Sequence, residues 1–446
     1  MNLLRVCLLA FGVLWISKPA FTQEKANAPA KADTLRLSVT QALQFALENN
    51  QSILNANLDI ESAKKKVWET TAIGLPQASA KLAFSYTPKL SPIIEQFSGI
   101  GGQQTDPADM KWGMPGTITV SQLIFSGSYI VGLQSAKVYK SLSELNQKKS
   151  KQDVLESVNN SYVNVLIARE NKLILDTTYN LLNKTFAEMK AMNNAGFIEE
   201  TDLDQMQITV STLKSSLDLI TRLTDISEKL LKIQLGVGLE TSLVLTDSLA
   251  PIINTLTVDQ LLATDFVLEN NVDYKMLDAS VKSNALILKL RKSEFLPELA
   301  GFYQYQKEFN DKAFSFTPPH TLGIQLTIPI FGSGQKLARV SQAKIDLIKA
   351  QNTRDQMANN IRLDFYSSKS TLMNAHDKYN TESINMKLAR KIFDRALIKY
   401  TNGVISSTDL TQIQNQYLTA QSNYYQSLQD LIAAKSKLQK ILTNSN

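Results

Sequence analysis

Few residues of this 446-residue chain could do covalent chemistry. Its two histidines, His320 and His376, lie far apart with no second ligand at metal spacing, so each reads as a loop or surface residue. Gly332-Ser333-Gly334 has the composition of a phosphate loop, but no Gly-Lys-Ser/Thr follows. A strand turning sharply into a helix accounts for these glycines. No serine occupies a nucleophile elbow. The remaining carboxylates of interest, Asp202, Asp204 and Asp409, gather around two turns that copy each other. Gly196-Phe197-Ile198-Glu199-Glu200-Thr201-Asp202-Leu203 recurs 207 positions later as Gly403-Val404-Ile405-Ser406-Ser407-Thr408-Asp409-Leu410. In each copy glycine can take the left-handed conformation that ends one helix, and Thr or Asp then caps the next. Carboxylates placed by turn logic are not an acid–base pair across an apolar cleft. Neither an enzyme nor a cofactor nor a metal is expected.

Each turn joins two helical patterns and so forms the tip of a long antiparallel hairpin. Residues 127–194 and 335–402 run without proline, about 100 Å each at 1.5 Å per residue. The return legs, 201–235 and 408–442, are shorter. Each stacks end to end on a helix that leads into a strand hairpin, 257–294 and 40–72, which brings the summed lengths close to the long helices. Apolar spacing along the return legs alternates three and four: Leu203, Met206, Val210, Leu213, Leu217 and Ile220, then Ile413, Tyr417, Ala420, Tyr424, Leu428 and Leu431. That is a coiled-coil seam.

Two further repeats fix the domain order. Leu47-Glu48-Asn49-Asn50 and Leu75-Pro76 return as Leu268-Glu269-Asn270-Asn271 and Leu296-Pro297, and Leu123-Ile124-Phe125 returns as Pro329-Ile330-Phe331. One repeat spans 40–250, with a β-hairpin at 77–125, a helical hairpin at 127–235 and an equatorial segment at 236–250. The second spans 251–446, with a β-hairpin at 297–331 and a helical hairpin at 335–443. The strands alternate: Ala78, Ala80, Leu82, Phe84 and Tyr86 oppose polar neighbours, as do Leu299, Gly301, Tyr303 and Tyr305, and Leu322, Ile324, Leu326 and Ile328. An insertion rich in Gly and Pro, residues 87–116, separates the first pair.

Four strands of about ten residues with one apolar face, and aromatics near the loop end, match membrane-spanning β-strands. Four strands cannot close a barrel, and open edges are not tolerated in lipid, so other copies of the chain must close it. Residues 1–22 read as a secretory signal: Arg5, an apolar run from Val6 to Ile16, then Ala20 before a polar linker, 23–39. Cys7, the sole cysteine, falls within that signal, leaving no disulfide and no thiolate site. The whole chain carries 47 basic and 41 acidic residues, with no basic stripe interleaved with aromatics, so no nucleic-acid partner is indicated.

With Phe331-Gly332-Ser333-Gly334-Gln335 after a strand, its weaker twin Phe125-Ser126-Gly127-Ser128, the paired Leu-Pro turns and the two Gly-to-Asp tips, the chain resembles the TolC-like outer-membrane efflux proteins over nearly all of its mature length. The resemblance implies a mainly α fold with a membrane β-barrel portion. Long helical hairpins form an α-barrel tunnel, and four amphipathic strands per chain complete a trimeric twelve-stranded barrel. It implies a homotrimer in outer-membrane lipid, with a long periplasmic extension that docks to a periplasmic adaptor and an inner-membrane pump of the RND or ABC type. Adaptor docking then falls on Ala195, Gly196, Phe197, Asn402, Gly403 and Val404. Tyr400, three residues before the second tip glycine, is placed to hydrogen-bond Asp202 of the other hairpin and hold the tunnel closed, with Asp409 its repeat equivalent. Where better-known members carry an acidic ring nine residues after the glycine, this chain has Gln412, and Gln205 in the other repeat, with Asp204 beside it as a partial substitute. The implied function is a passive outer-membrane channel for efflux or type I secretion. A periplasmic adaptor or a structural coiled-coil protein is the alternative; the former should have one hairpin with flanking β-domains, the latter no amphipathic strands.

Overall fold

A computed structural model describes residues 34–88, 112–254, 258–309 and 318–443. The expected signal segment, most of the linker and the greater part of both strand-connecting loops lie outside the described residues. In chain order the elements are β1 (Leu35–Leu37), α1 (Val39–Asn49), α2 (Gln51–Ala72), β2 (Gln77–Leu82), β3 (Ser85–Tyr86), β4 (Trp112–Gly113), β5 (Pro115–Phe125), α3 (Gly127–Asn194) and α4 (Glu200–Leu235). There follow β6 (Leu243–Leu245), α5 (Leu249–Asn254), α6 (Val258–Leu262), α7 (Val272–Ser293), β7 (Glu298–Glu308), β8 (His320–Thr327), α8 (Gln335–Thr401) and α9 (Ser407–Thr443).

The two long helices contain 68 and 67 residues, close to the expected spans. Their upper halves pack on the short helices: α2 and α7 both lie against α3, and α7 also lies against α8. Their lower halves pack on the return legs, α4 beside α3 and α9 beside α8. Two expectations need correction. The helix expected over 40–72 is broken at Asn50, whose carboxamide caps α2 through Ser52 N at 2.8 Å and donates to Gln234 O at 2.7 Å. The helix expected over 257–294 is broken as well: α6 ends at Leu262 and α7 begins at Val272, where Asn271, in an extended conformation, caps it through Tyr274 N at 3.1 Å.

Part of the segment read as linker is strand. β1 pairs in parallel with β6, Leu35 opposite Leu243 and Leu37 opposite Leu245, and so ties the chain start to the joint between the repeats. Tyr162, fully buried on α3, locks this clasp: its hydroxyl donates to Leu37 O at 3.0 Å and Asp247 Oδ2 at 3.2 Å, and the same carboxylate oxygen accepts from Val39 N at 2.7 Å. Burial pushes the Tyr162 phenol up to about 12.

The four principal strands form one antiparallel sheet in the order β2-β5-β7-β8, so β5 and β7 join the repeats and β2 and β8 are left as edges. Ile118 stands opposite Tyr305, Val120 opposite Tyr303, and Tyr303 opposite Leu322, which gathers the apolar positions on one face. That face is bare: Leu322 is 83% exposed and Ile324 73%. Leaving large apolar side chains in water forfeits roughly 1.5–3 kcal/mol each. β2 is shorter than expected; Ala83 N still reaches Pro115 O at 3.0 Å, and the pairing resumes as β3 with β4, where Trp112 packs on Phe84 and Tyr86.

Candidate functional site

The helical tips hold every site residue that the sequence picks out. Both long helices end in the same hydrogen-bonded cap. Phe197 N donates to Met192 O and Gly196 N to Asn193 O, both at 2.9 Å; Val404 N donates to Lys399 O at 2.8 Å and Gly403 N to Tyr400 O at 2.9 Å. This Schellman pairing needs a left-handed residue, and Gly196 and Gly403 have φ of 77° and 71°. Nothing stands within 4 Å of where a Cβ would lie at either glycine, so backbone conformation and not crowding requires them. Ala195 and Asn402 are the helix-terminal residues, and the Phe197 and Val404 side chains are 78% and 67% exposed at the apex.

The helix starts differ between the twins, and the expected caps are corrected. At α9 the cap is Ser406: its Oγ accepts from Asp409 N at 3.1 Å, and Asp409 Oδ2 accepts from Ser406 N at 3.3 Å and Ser406 Oγ at 2.8 Å. Asp409 thus closes a reciprocal capping box. At α4 the cap position is Glu199, which makes no side-chain cap bond. Asp202 is free to face the other hairpin, where its carboxylate accepts from Ser407 Oγ. A second link, Thr209 Oγ1 to Thr411 Oγ1 at 3.2 Å, lies just above.

Tyr400 does not make the expected bond to Asp202. Its hydroxyl donates to the buried Met189 Sδ at 2.9 Å, and the donor that reaches the Asp202 carboxylate is Ser407, in the first turn of α9. Asp202 is still near enough for its charge to add to burial in raising the Tyr400 pKa. Gln205 and Gln412 do come together, lining an open groove of about 620 Å³ with Thr408, Thr411, Asn415 and Gln416. Asp204 is exposed and does not line that groove, whose one carboxylate is Glu382.

Sequence reasoning missed Ser407 and the composition of the α9 seam. The buried positions there include Leu410, Gln414, Tyr417, Gln421, Tyr425, Leu428 and Leu431, so two glutamines stand where Ile413 and Ala420 were expected. Gln414 Oε1 and Gln421 Oε1 have no hydrogen-bond partner. The three–four spacing read one residue later would have found them, but an apolar count passes over glutamine.

The model of one family, outer membrane efflux protein, matches residues 42–236 and 265–444, which is most of both repeats. The chain belongs to the outer membrane efflux protein family. No curated protein sequence matches it at a significant level. Among solved structures it is similar to CusC, in a study of conformational changes accompanying folding and transmembrane channel formation (15% identity, 94% of this chain and 95% of that one, TM-score 0.72). It is likewise similar to the Campylobacter jejuni outer membrane channel CmeC (16%, 91% and 86%, 0.72) and the Vibrio cholerae outer membrane protein VceC (15%, 91% and 95%, 0.69).

This outer membrane efflux protein therefore has the TolC-like channel fold and resides in the outer membrane, with a helical extension into the periplasm. It is a channel for efflux systems. Among the described residues no helix is long and apolar enough to cross a membrane, and no cluster of three or more His, Cys, Asp or Glu could hold a metal.

Proposed function

We propose that three copies of this chain form one passive exit duct, closing a twelve-stranded barrel through their β2 and β8 edges, and that the duct takes substrate from a periplasmic adaptor coupled to an inner-membrane pump. The observation that carries the reading is the bare sheet with two open edges, fused twice to a helical hairpin. An open edge in lipid leaves unpaired backbone groups at several kcal/mol each, a cost that three copies remove by pairing edge to edge. The exposed apices at Phe197 and Val404, flanked by Ala195, Gly196, Asn402 and Gly403, are the adaptor-docking surface. Asp202 with Ser407 holds the tips together and Tyr400 packs behind it, while the groove at Gln205 and Gln412, with Glu382 its one carboxylate, leaves the constriction with less cation affinity than an acidic ring.

Deleting the gene should raise intracellular accumulation of dyes or drugs, or retain an exported polypeptide, and re-expression should reverse it. Unchanged accumulation and secretion across a broad screen would argue against a transport role. Phe197→Asp with Val404→Asp should abolish the same phenotype while leaving membrane insertion intact; normal transport in that variant would remove the apices from the docking surface.

A further inference from the structure

The apolar face of the four-stranded sheet carries basic side chains at one end only. Residues that stand opposite in the ladder share a face, so Gly116 and Lys307 form one row, and Ile118, Tyr305 and His320 the next. No other paired position of this face, on any of the four strands, is Lys, Arg, His, Asp or Glu. The helices join these strands at their opposite ends, so Lys307 and His320 lie at the end turned away from the periplasm.

Their height on the sheet matters, because a cation facing lipid is costly at the middle of a bilayer and close to neutral at its surface. From Leu299, where β7 leaves the helices, to Lys307 is roughly 27 Å along the strand, or about 20 Å across a bilayer at the tilt of a barrel strand. The apolar band of a membrane barrel is about 25 Å tall. Lys307 therefore stands at its outer limit, where headgroups begin.

Aromatic rings build a ledge around both residues. Phe309 folds across Gly116, where a Cβ would stand 2.5 Å from the ring, and its backbone N donates to Met114 O at 3.0 Å. Lys307 Nζ lies 5.6 Å from the centre of the same ring. The His320 ring is 5.0 Å from that of Tyr305, and its Nδ1 is 2.7 Å from the Tyr303 hydroxyl. Both Lys307 and His320 are exposed, and among the described residues neither has a carboxylate partner. They are diagonal neighbours on adjacent strands, about 7–8 Å apart at the backbone, close enough for one anion to meet both side chains.

We propose that this ledge binds the phosphate of an outer-leaflet glycolipid, Lys307 giving the ion pair and His320 a hydrogen bond, with the acyl chains lying on the bare strip at Leu322 and Ile324. This rests on the reading that the sheet is part of a lipid-embedded barrel. Tyr303 donating to Nδ1 keeps the imidazole proton on Nε2, which is left to donate to the phosphate. The apolar strip below the ledge selects a phosphate that carries chains over a free anion, and the height of the ledge selects the outer leaflet. Pairing of the β2 and β8 edges uses backbone groups and leaves the face open, so the site survives assembly. A lipid held there fixes the depth of the channel in the membrane.

Native mass spectrometry of the full channel in mild detergent tests this, with bisphosphorylated lipid A as the probe and the same lipid stripped of its phosphates as the control. The intact lipid should be retained at least about fivefold better than the stripped one. Lys307→Gln should cut its retention by roughly fivefold, Lys307→Gln with His320→Gln further, and Lys307→Arg should keep it. Lys81→Gln removes a cation from the opposite face of the same sheet, where Lys81 pairs with Thr117, and should change nothing. An equal loss from Lys81→Gln, or equal retention of intact and stripped lipid by an oligomeric channel, would overturn the site. Phosphatidylglycerol held as well as lipid A would overturn the assignment to a glycolipid. The same spectra count copies: a dominant folded monomer would overturn the barrel reading, and the site with it.

Discussion

Replacing Ser407 with Ala should open this channel more than replacing Tyr400 with Phe. Ser407 is buried, 3% exposed, and its hydroxyl donates to the Asp202 carboxylate across the two hairpins. Alanine removes that donor and leaves the carboxylate without its partner from the other hairpin. A hydrogen bond to a charged group contributes roughly 1.5–3 kcal/mol, so each copy should shift toward the parted state by a factor of about 10 to 150. Tyr400 donates only to Met189 Sδ, a weak acceptor, and phenylalanine keeps the ring in the same core. Its loss should shift the equilibrium by less than about threefold. Single-channel recording at fixed salt reads the difference directly as open probability. A wild-type trace from Ser407→Ala beside a leaky Tyr400→Phe would refute the assignment and restore the tyrosine as the donor to Asp202.

Three further outcomes follow from the periplasmic helices. Gly236→Ala should destabilise the fold by roughly 2–5 kcal/mol, because the residue has φ of 78° and a Cβ would run into the Asn49 carbonyl; a melt within about 2 °C of wild type would contradict this. Tyr162 holds its proton more tightly folded than unfolded, so up to roughly 3 kcal/mol of stability is present below pH 10 and lost as pH rises from about 10 to about 12. In Tyr162→Phe that part of the alkaline loss should vanish, with the part due to Tyr424 and Tyr425, which burial also raises, remaining. Gln414→Leu should raise thermal stability by about 1–2 kcal/mol, since it removes a buried acceptor that lacks a partner; a loss of stability would mean that the amide is satisfied in solution.

The repeat, the tips and the sheet were legible because each follows from a local rule. Gly196 and Gly403 announce a left-handed cap, the proline-free runs announce helices of nearly the observed length, and alternation announces the strands. What the sequence hid depends on contacts distant along the chain. β1 is three residues long and becomes a strand only because β6, over 200 residues later, is there to pair with it. Asp202 and Asp409 look alike in their turns; that one closes its own cap and the other reaches Ser407 is decided by Ser406, which has glutamate as its counterpart in the first copy. Gln414 and Gln421 are buried by the packing of α9 among its neighbours, where their polarity gives no hint of it.

The most direct measurement is the stoichiometry of the protein extracted in mild detergent from outer membranes, by native mass spectrometry. The open β2 and β8 edges require a closed assembly, and the account predicts a trimer of the mature chain with little else. A folded monomer as the dominant species in that fraction would contradict it.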